Sequence, residues 1–129
     1  ISQFANSVTL LTGLGEIDSH EEFIREKLNS SIKPVFSYFK AAPTVTKRRF
    51  VDSDLAKLFE VYFFQDHPKL VNDGKDINEW LEKNLSNFDA VVIADFGNGF
   101  VTSTMIDLLC DKSKLLAVID KPGIGVNFN

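Results

Sequence analysis

The sequence predicts an α/β protein with a mostly parallel, Rossmann-like sheet flanked by helices and a separate antiparallel β-meander. Residues 90–120 read as an apolar strand, a capped helix and a second strand, a unit long enough for a parallel crossover. Residues 34–65 contain three strand-like runs joined by short polar connections, which is typical of a meander. A length of 129 residues with 44% hydrophobic and 25% charged residues fits one domain, residues 1–129, with a real core.

The first half of the chain predicts a strand and a helix ahead of the meander. Residues 7–14 form an apolar run bounded by glycines, as expected for a buried strand. Ser19-x-x-Glu22 has the form of a capping box at a helix start. The residues expected on the buried face of this helix are Phe23, Ile24 and Leu28. The three runs of the meander are 34–39, 44–51 and 57–64.

The second half predicts two helices and two strands. Residues 72–75 (Asn-Asp-Gly-Lys) form a turn, which is the expected flexible connection of the chain. Asp76-x-x-Glu79 starts a helix with a buried stripe of Ile77, Trp80, Leu81 and Leu85. The continuous apolar run 90–94 predicts a strand covered on both faces. Thr102 or Ser103 caps the next helix, and residues 115–119 form a further strand. The residues expected to be buried on that helix are Met105, Ile106, Leu109 and Cys110.

Bulk properties exclude several classes of function. A net charge of −4 and a pI near 5.1 argue against a protein that coats nucleic acid, since that binding needs a net positive surface. The single cysteine excludes an internal disulfide and fits a reducing compartment. No apolar run has the length to cross a bilayer and no signal sequence is visible, so we expect a cytoplasmic protein without a membrane partner. The chain reads as a piece of something larger.

A zinc site or a nucleophilic cysteine is not expected. His20 and His67 lack partners at metal-ligand spacing, and both are more simply explained as exposed residues at a helix start and a turn. Cys110 lies on an apolar helix face and is more simply a core residue. Candidate binding residues therefore lie in other segments of the chain.

The segment 43–51 carries three consecutive cations in an acidic protein. In a strand, Lys47 and Arg49 share one face while Arg48 points to the other. Two cations on one face lie about 7 Å apart, a distance that suits a phosphorylated or otherwise anionic small molecule. The alternative is that cations on an exposed edge strand only discourage aggregation.

Acidic residues and glycines follow two predicted strands of the sheet. Asp95-Phe96-Gly97-Asn98-Gly99 comes directly after the strand 90–94, where open α/β sheets bind ligands, and the glycines allow backbone to approach a ligand closely. Asp120 ends the next strand, so both carboxylates are expected at one edge, where they can organise a metal–phosphate complex. A tight turn, with both aspartates as turn formers, explains the same residues.

Four segments, 12–16, 43–51, 95–99 and 120–123, resemble in their order the ribokinase/phosphofructokinase-B carbohydrate kinases. The nearest subgroup is the heptose-phosphate kinase module of ADP-heptose synthases. The resemblance implies a ribokinase-like fold, with the meander as a lid over the sugar and a possible homodimer contact. It also implies transfer of a phosphoryl group from ATP, with Mg²⁺, to a sugar or sugar phosphate, in a parent that can carry a fused nucleotidyltransferase.

The resemblance also implies roles for single residues. Its implied substrate contacts are Glu16, Thr44, Lys47, Arg49, Asp95 and Asn98, and its implied cofactor contacts are Gly97, Gly99 and Asp120. The chain departs from the family pattern at three of the motifs. Asn98 stands where the family has lysine, Glu16 replaces an aspartate, and Lys121 and Pro122 are exchanged in order.

The Gly-Ala-Gly-Asp motif that carries the catalytic aspartate in this family does not occur in the chain. We therefore assign no catalytic residue and expect the 129 residues to be inactive by themselves. Two alternatives stay open. One is a non-catalytic interaction module that dimerises through the phenylalanines of the meander, Phe36, Phe39, Phe59, Phe63 and Phe64. The other is a different Rossmann-like enzyme that binds a nucleotide at Gly97 and Gly99.

Overall fold

A computed structural model describes residues 4–120, which form an α/β structure with three α-helices and three two-stranded sheets. Two of these sheets are parallel and the third is antiparallel. The chain divides into two compact units, one ending at Gly74 and the other starting at Lys75. The division falls within the turn at 72–75, which was predicted as a flexible connection and not as a boundary. None of the helices within 4–120 is long and apolar enough to cross a membrane.

The first unit begins with a strand–helix–strand motif. Strand β1 (Val8–Ile17), helix α1 (Glu21–Lys27) and strand β2 (Ile32–Pro43) follow one another, and β1 pairs with β2 in parallel. Two adjacent parallel strands need a crossover, which here runs through α1. The core of this unit consists of Leu14, Phe39, Ala42 and Leu70.

An antiparallel hairpin completes the first unit. It consists of β3 (Thr46–Val51) and β4 (Lys57–Phe63), which pair with each other. The three-stranded meander predicted over 34–65 is therefore corrected, because the run at 34–39 belongs to β2 and pairs with β1. Strand-like residues predict a strand but not its partner, and the helix ahead of β2 directs it alongside β1.

Helix α1 differs from its prediction. The capping box is absent: His20 precedes the helix with a φ of 54°, and its side chain makes no capping hydrogen bond. Phe23, expected to be buried, is 60% exposed. Polar contacts hold the helix to β2 instead, since the Tyr38 hydroxyl donates a hydrogen bond to Glu21, which also pairs with Arg25. The hydroxyl of Tyr38, and then Arg25, lower the pKa of Glu21.

The second unit contains the other two helices and the second parallel pair. Helix α2 (Lys75–Asn84) precedes strand β5 (Val91–Asp95), helix α3 (Ser103–Lys112) and strand β6 (Leu116–Asp120). β5 and β6 pair in parallel, which confirms the parallel strand–helix–strand unit predicted over 90–120. The buried residues of this unit are Ile77, Leu81, Leu85, Met105 and Leu109.

Thr102 is the cap of α3, where its Oγ1 accepts a hydrogen bond from the Met105 backbone N–H at 3.2 Å. Two other predictions for this unit are wrong. Ile106 and Cys110 are exposed although both were expected in the core. Strand β5 alternates half-buried with exposed residues, and Val92 is 43% exposed, so β5 is not covered on both faces by the described residues.

Candidate functional site

The hairpin places the predicted cations on one face. Lys47 lies opposite Tyr62 and Arg49 lies opposite Glu60 in the antiparallel register. Directly opposed residues share a face, and so do alternate residues of one strand. The face therefore carries Lys47, Arg49, Tyr62 and Glu60 together, and the sharing of one face by Lys47 and Arg49 agrees with the predicted alternation.

Both cations bind the same carboxylate. The Lys47 Nζ lies 2.9 Å from Oε1 of Glu60, and the Arg49 Nε donates to Oε2 at 2.7 Å. A third cation, Lys57, has its Nζ 3.8 Å from the same Oε2. The hydrogen bonds from Lys47 and then from Arg49 lower the pKa of Glu60 to about 2. Three positive charges around one negative charge leave a local charge of +2 on this face.

Glu60 and Lys57 were not among the predicted site residues. Both lie on β4, and only the pairing of β4 with β3 brings them to Lys47 and Arg49. The sequence places Glu60 eleven residues after Arg49. A prediction of the hairpin register would have found the contact, because an acidic residue opposite a cation is a favourable cross-strand pair.

The opposite face of the hairpin is aromatic. The Phe50 and Phe59 rings stack with centroids 4.4 Å apart, and the Arg48 guanidinium lies 5.4 Å from the centroid of the Phe63 ring. Arg48 therefore faces away from Lys47 and Arg49, as predicted. Phe59 and Phe63 are about half exposed, at 53% and 47%. This face offers apolar surface together with a cation.

Two of the five phenylalanines predicted for an interaction surface do not belong to it. Phe39 is buried in the core of the first unit. Phe36 lies on β2, where the Arg25 guanidinium covers its ring at 4.6 Å from the centroid. Phe64 is exposed just after β4 and remains a candidate. Phe50, which lies between the cations and the turn, is the member that the prediction missed.

The carboxyl end of β1 brings together the predicted residues Glu16 and Thr44. The Thr44 Oγ1 accepts a hydrogen bond from the Gly15 N–H at 2.8 Å and donates one to the Ser19 carbonyl at 2.9 Å. The Glu16 Oε2 accepts a hydrogen bond from the Ala41 N–H at 2.7 Å, beside the irregularity in the β1–β2 register. Both side chains are thus engaged by the protein's own backbone.

Gly15 is required for this arrangement. A Cβ placed on Gly15 would lie 2.2 Å from the carbonyl carbon of Pro43 and 2.3 Å from both the Ala42 oxygen and the Thr44 nitrogen. These atoms are backbone and cannot move aside as a flexible side chain would. Close packing of two chain segments therefore explains this glycine without a ligand.

The carboxyl end of β5 is arranged differently. Asp95 is the register partner of Asp120, so the predicted placement of both residues at one edge of neighbouring strands is confirmed. The Asp95 Oδ1 accepts a hydrogen bond from the Gly97 N–H at 2.9 Å. Gly97 and Gly99 have φ values of 75° and 76°, which favour glycine, and Asn98 between them is exposed. The side chain of Asp120 and the rest of its motif, residues 121–123, lie outside the described residues.

The residues at this end fit the groups that the resemblance implies. Nothing lies within 4 Å of a Cβ placed on Gly97, so a phosphate group could approach the backbone there. Mg²⁺ in phosphate sites is commonly held by one or two carboxylates together with phosphate oxygens, and Asp95 supplies one such carboxylate. Within 4–120, no group of three or more His, Cys, Asp or Glu side chains is arranged to hold a metal ion.

The predicted site residues thus fall into two sets. Glu16, Thr44, Lys47 and Arg49 belong to the first unit, whereas Asp95 to Gly99 and Asp120 belong to the second. Within the first set, Glu16 and Thr44 gather at the end of β1, and Lys47 and Arg49 gather on the hairpin around Glu60.

Comparison with known proteins adds no family assignment. No family model matches the chain, and no curated protein matches it. The resemblance to carbohydrate kinases therefore stays a prediction that depends on the four motifs and on the geometry above.

Proposed function

We propose that this chain binds the phosphate of a sugar phosphate and is the substrate-binding part of a ribokinase-like carbohydrate kinase that uses ATP and Mg²⁺. Lys47 and Arg49 hold the phosphate of the substrate. The glycine turn after β5 meets the phosphates of the nucleotide, with Asp95 as the carboxylate that approaches Mg²⁺. Phosphoryl transfer itself depends on a base and a phosphate cradle that the four motifs do not include.

The observation that carries this proposal is the shared carboxylate on the hairpin. One ammonium and one guanidinium hold the two oxygens of a single anionic group, at 2.9 Å and 2.7 Å. A phosphate monoester presents oxygens that these same donors can bind, and it carries more negative charge than a carboxylate. The local charge of +2 that remains around Glu60 also favours an additional anion.

The two strand–helix–strand motifs give further support. Each parallel pair ends in predicted site residues, Glu16 in one unit and Asp95 in the other. Ligands of open α/β sheets lie beyond the carboxyl ends of the strands. The positive φ values and open surroundings of Gly97 make the second of these ends accessible to a phosphate.

The test measures binding of a panel of hexose and heptose phosphates, and of the corresponding unphosphorylated sugars, to the 129-residue chain. Calorimetry and NMR are the two methods of measurement. Charged hydrogen bonds contribute about 1.5–3 kcal/mol each, so Lys47→Ala and Arg49→Ala should each weaken binding by about tenfold or more. Arg48→Ala is the matched control on the aromatic face and should change binding by less than about twofold.

Equal effects of the three substitutions would contradict the assignment of the phosphate to this face. Failure of every sugar phosphate to bind better than its unphosphorylated sugar would contradict the proposed function as a whole. Turnover of ATP by the 129 residues alone would contradict the division between a binding part and a catalytic part.

A second function is favoured by the aromatic face of the hairpin. Phe50, Phe59 and Phe63 together form an exposed apolar surface on a two-stranded element. We propose self-association through this face as the alternative, a role that needs no ligand. Sedimentation equilibrium of the same samples separates the two: a dimer that Phe59→Ser dissociates, with no affinity for sugar phosphates, would favour the alternative.

A further inference from the structure

Glu60 occupies the place where an anionic ligand would bind. Its side chain is 14% exposed, whereas those of Arg49 and Lys57 are 62% and 59% exposed. The carboxylate is thus the covered member of the cluster, and the two flanking cations extend into solvent. Both of its oxygens are in contact with cations.

The carboxylate is ionised at neutral pH, as any glutamate of ordinary pKa is, and the hydrogen bonds from Lys47 and then Arg49 lower its pKa further. An incoming anion therefore meets donors that already have an anionic partner. It can gain from Lys47 and Arg49 only if it interacts with them more strongly than Glu60 does, or if it adds to the charge that Glu60 leaves uncompensated.

The two kinds of anion differ in this respect. A ligand with one carboxylate replaces the single negative charge of Glu60 beside Lys47 and Arg49 with another single negative charge. Glu60 then loses both of these partners. A phosphate monoester carries about −1.5 to −2 charges at neutral pH and brings three acceptor oxygens. It matches the local charge of +2, which one carboxylate cannot do.

We infer that Glu60 is an internal competitor: its carboxylate occupies the Lys47–Arg49 pair and lowers the affinity of this pair for an incoming anion, and the ligand that displaces it is a phosphate monoester. This inference depends on the proposed function, because it concerns the same anion site. It goes further in assigning the competition to a residue of β4 and in assigning a third ligand contact to Lys57, which shares an oxygen of Glu60 with Arg49.

A purely structural role for Glu60 makes a different prediction. Cross-strand pairs of opposite charge stabilise a sheet by about 0.2–1 kcal/mol, and Glu60 could serve β3 and β4 in this way alone. Its removal would then loosen the hairpin and would leave anion affinity unchanged or weaker. The direction of the change in affinity therefore distinguishes the two roles.

The experiment compares the 129-residue chain with its Glu60→Gln variant, which keeps the shape of the side chain and removes its charge. Inorganic phosphate and acetate are titrated separately at constant ionic strength, and binding is followed by NMR of the Lys47 ammonium and the Arg49 Nε–H. Glu79→Gln is the matched control, because Glu79 forms an exposed pair with Lys83 on α2. Glu60→Thr serves as a second variant in case Glu60→Gln perturbs the hairpin.

We expect Glu60→Gln to bind phosphate about tenfold more tightly, the change expected when a unit charge beside a partly exposed anion site is removed. Acetate should gain no more than phosphate, because removing one negative charge relieves at least as much repulsion for a doubly charged anion as for a singly charged one. Glu60→Thr should act in the same direction, and Glu79→Gln should have no effect.

An unchanged or weaker affinity in both Glu60 variants, or no phosphate binding at Lys47 and Arg49 in either of them, would overturn the inference. A larger gain in affinity for acetate than for phosphate would overturn it as well. Because the probes are inorganic phosphate and acetate, these outcomes are separate from those of the sugar panel. The chain could fail to prefer sugar phosphates over sugars and still show the effect of Glu60.

Discussion

At the carboxyl end of β1 a glycine is packed against neighbouring backbone, whereas at the carboxyl end of β5 a glycine lies in open space. A Cβ on Gly15 would meet three backbone atoms within 2.3 Å, and a Cβ on Gly97 would meet nothing within 4 Å. The acidic residues differ as well. Glu16 accepts a hydrogen bond from a distant part of the chain, the Ala41 N–H, while Asp95 accepts one from Gly97 in its own turn.

The difference teaches that a glycine close to an acidic residue at the carboxyl end of a strand can serve two different physical purposes. At Gly15 the absence of a side chain allows two segments of the protein to touch. At Gly97 it allows a positive φ and leaves the backbone accessible. The first arrangement already uses its polar groups, so a sugar contact by Glu16 would require the bond to Ala41 to be broken. The second arrangement has room for a ligand.

Gly15→Ala is expected to have the largest effect of the substitutions that test the difference between the two strand ends. The added methyl group would collide with backbone of residues 42–44, and overpacking of this kind costs about 3 kcal/mol or more when the neighbours cannot move. The free energy of unfolding, measured by urea denaturation with probes in each unit, should fall for the unit that contains β1. The probe in the first unit is tyrosine fluorescence, since Tyr38 and Tyr62 both lie there, and the probe in the second unit is the fluorescence of Trp80.

A loss of less than about 1 kcal/mol in Gly15→Ala would contradict the close packing at this end of β1, because overpacking with rigid backbone exceeds that value. Gly13→Ala, two residues earlier on the same strand, serves as the matched control for the general cost of replacing glycine in β1.

A smaller effect is expected for Thr44→Val. The substitution keeps the shape of the side chain and removes the acceptor of the Gly15 N–H and the donor to the Ser19 carbonyl. An unsatisfied buried donor costs about 1–3 kcal/mol, and Gly15 is buried, so a loss of about 2 kcal/mol is expected. Urea denaturation measures it.

Thr44→Ser, which keeps the hydroxyl, should lose less than half as much stability as Thr44→Val. If both variants were equally destabilised, the methyl group and not the hydroxyl of Thr44 would be the important part, and the hydrogen-bond argument for this end of β1 would be wrong.

The smallest effect is expected for Gly97→Ala. No atom obstructs the methyl group, so the cost is that of a left-handed conformation in an alanine, about 1–2 kcal/mol. Gly97→Asn should cost less, since asparagine tolerates this conformation better than alanine does. Thermal denaturation of the two variants is the measurement. A cost for Gly97→Ala as large as that for Gly15→Ala would remove the distinction between the two glycines.

Local patterns predicted the second unit well. The capped helix α3, the buried stripe of α2 and the parallel strands β5 and β6 all follow from apolar spacing and helix-start residues. The pairing of Asp95 with Asp120 could be predicted too, because consecutive parallel strands end at the same edge. The exposure of Cys110 could not be predicted. Cys110 directly follows the buried Leu109 on α3, and apolar spacing in a short helix does not show which of the apolar residues beside the buried stripe is covered.

The first unit was harder to predict. Alternation along β3 was sufficient to separate Lys47 and Arg49 from Arg48. Neither the pairing of β2 with β1 nor the contact of both cations with Glu60 has a local signal, since each depends on which strand becomes a neighbour. The same is true of Gly15, whose neighbours are about 28 residues away along the chain.

The sequence by itself determined where most helices and strands lie and on which side of a strand each charge lies. It also determined that Asp95 and Asp120 lie at the same carboxyl edge. These features depend on periods of two and 3.6 residues within short segments. Tertiary structure alone decided that a glutamate would occupy the cation pair and that one glycine would be packed while another stayed open. Those outcomes arise from contacts between segments that are distant in the chain, and such contacts are set by strand pairing and packing.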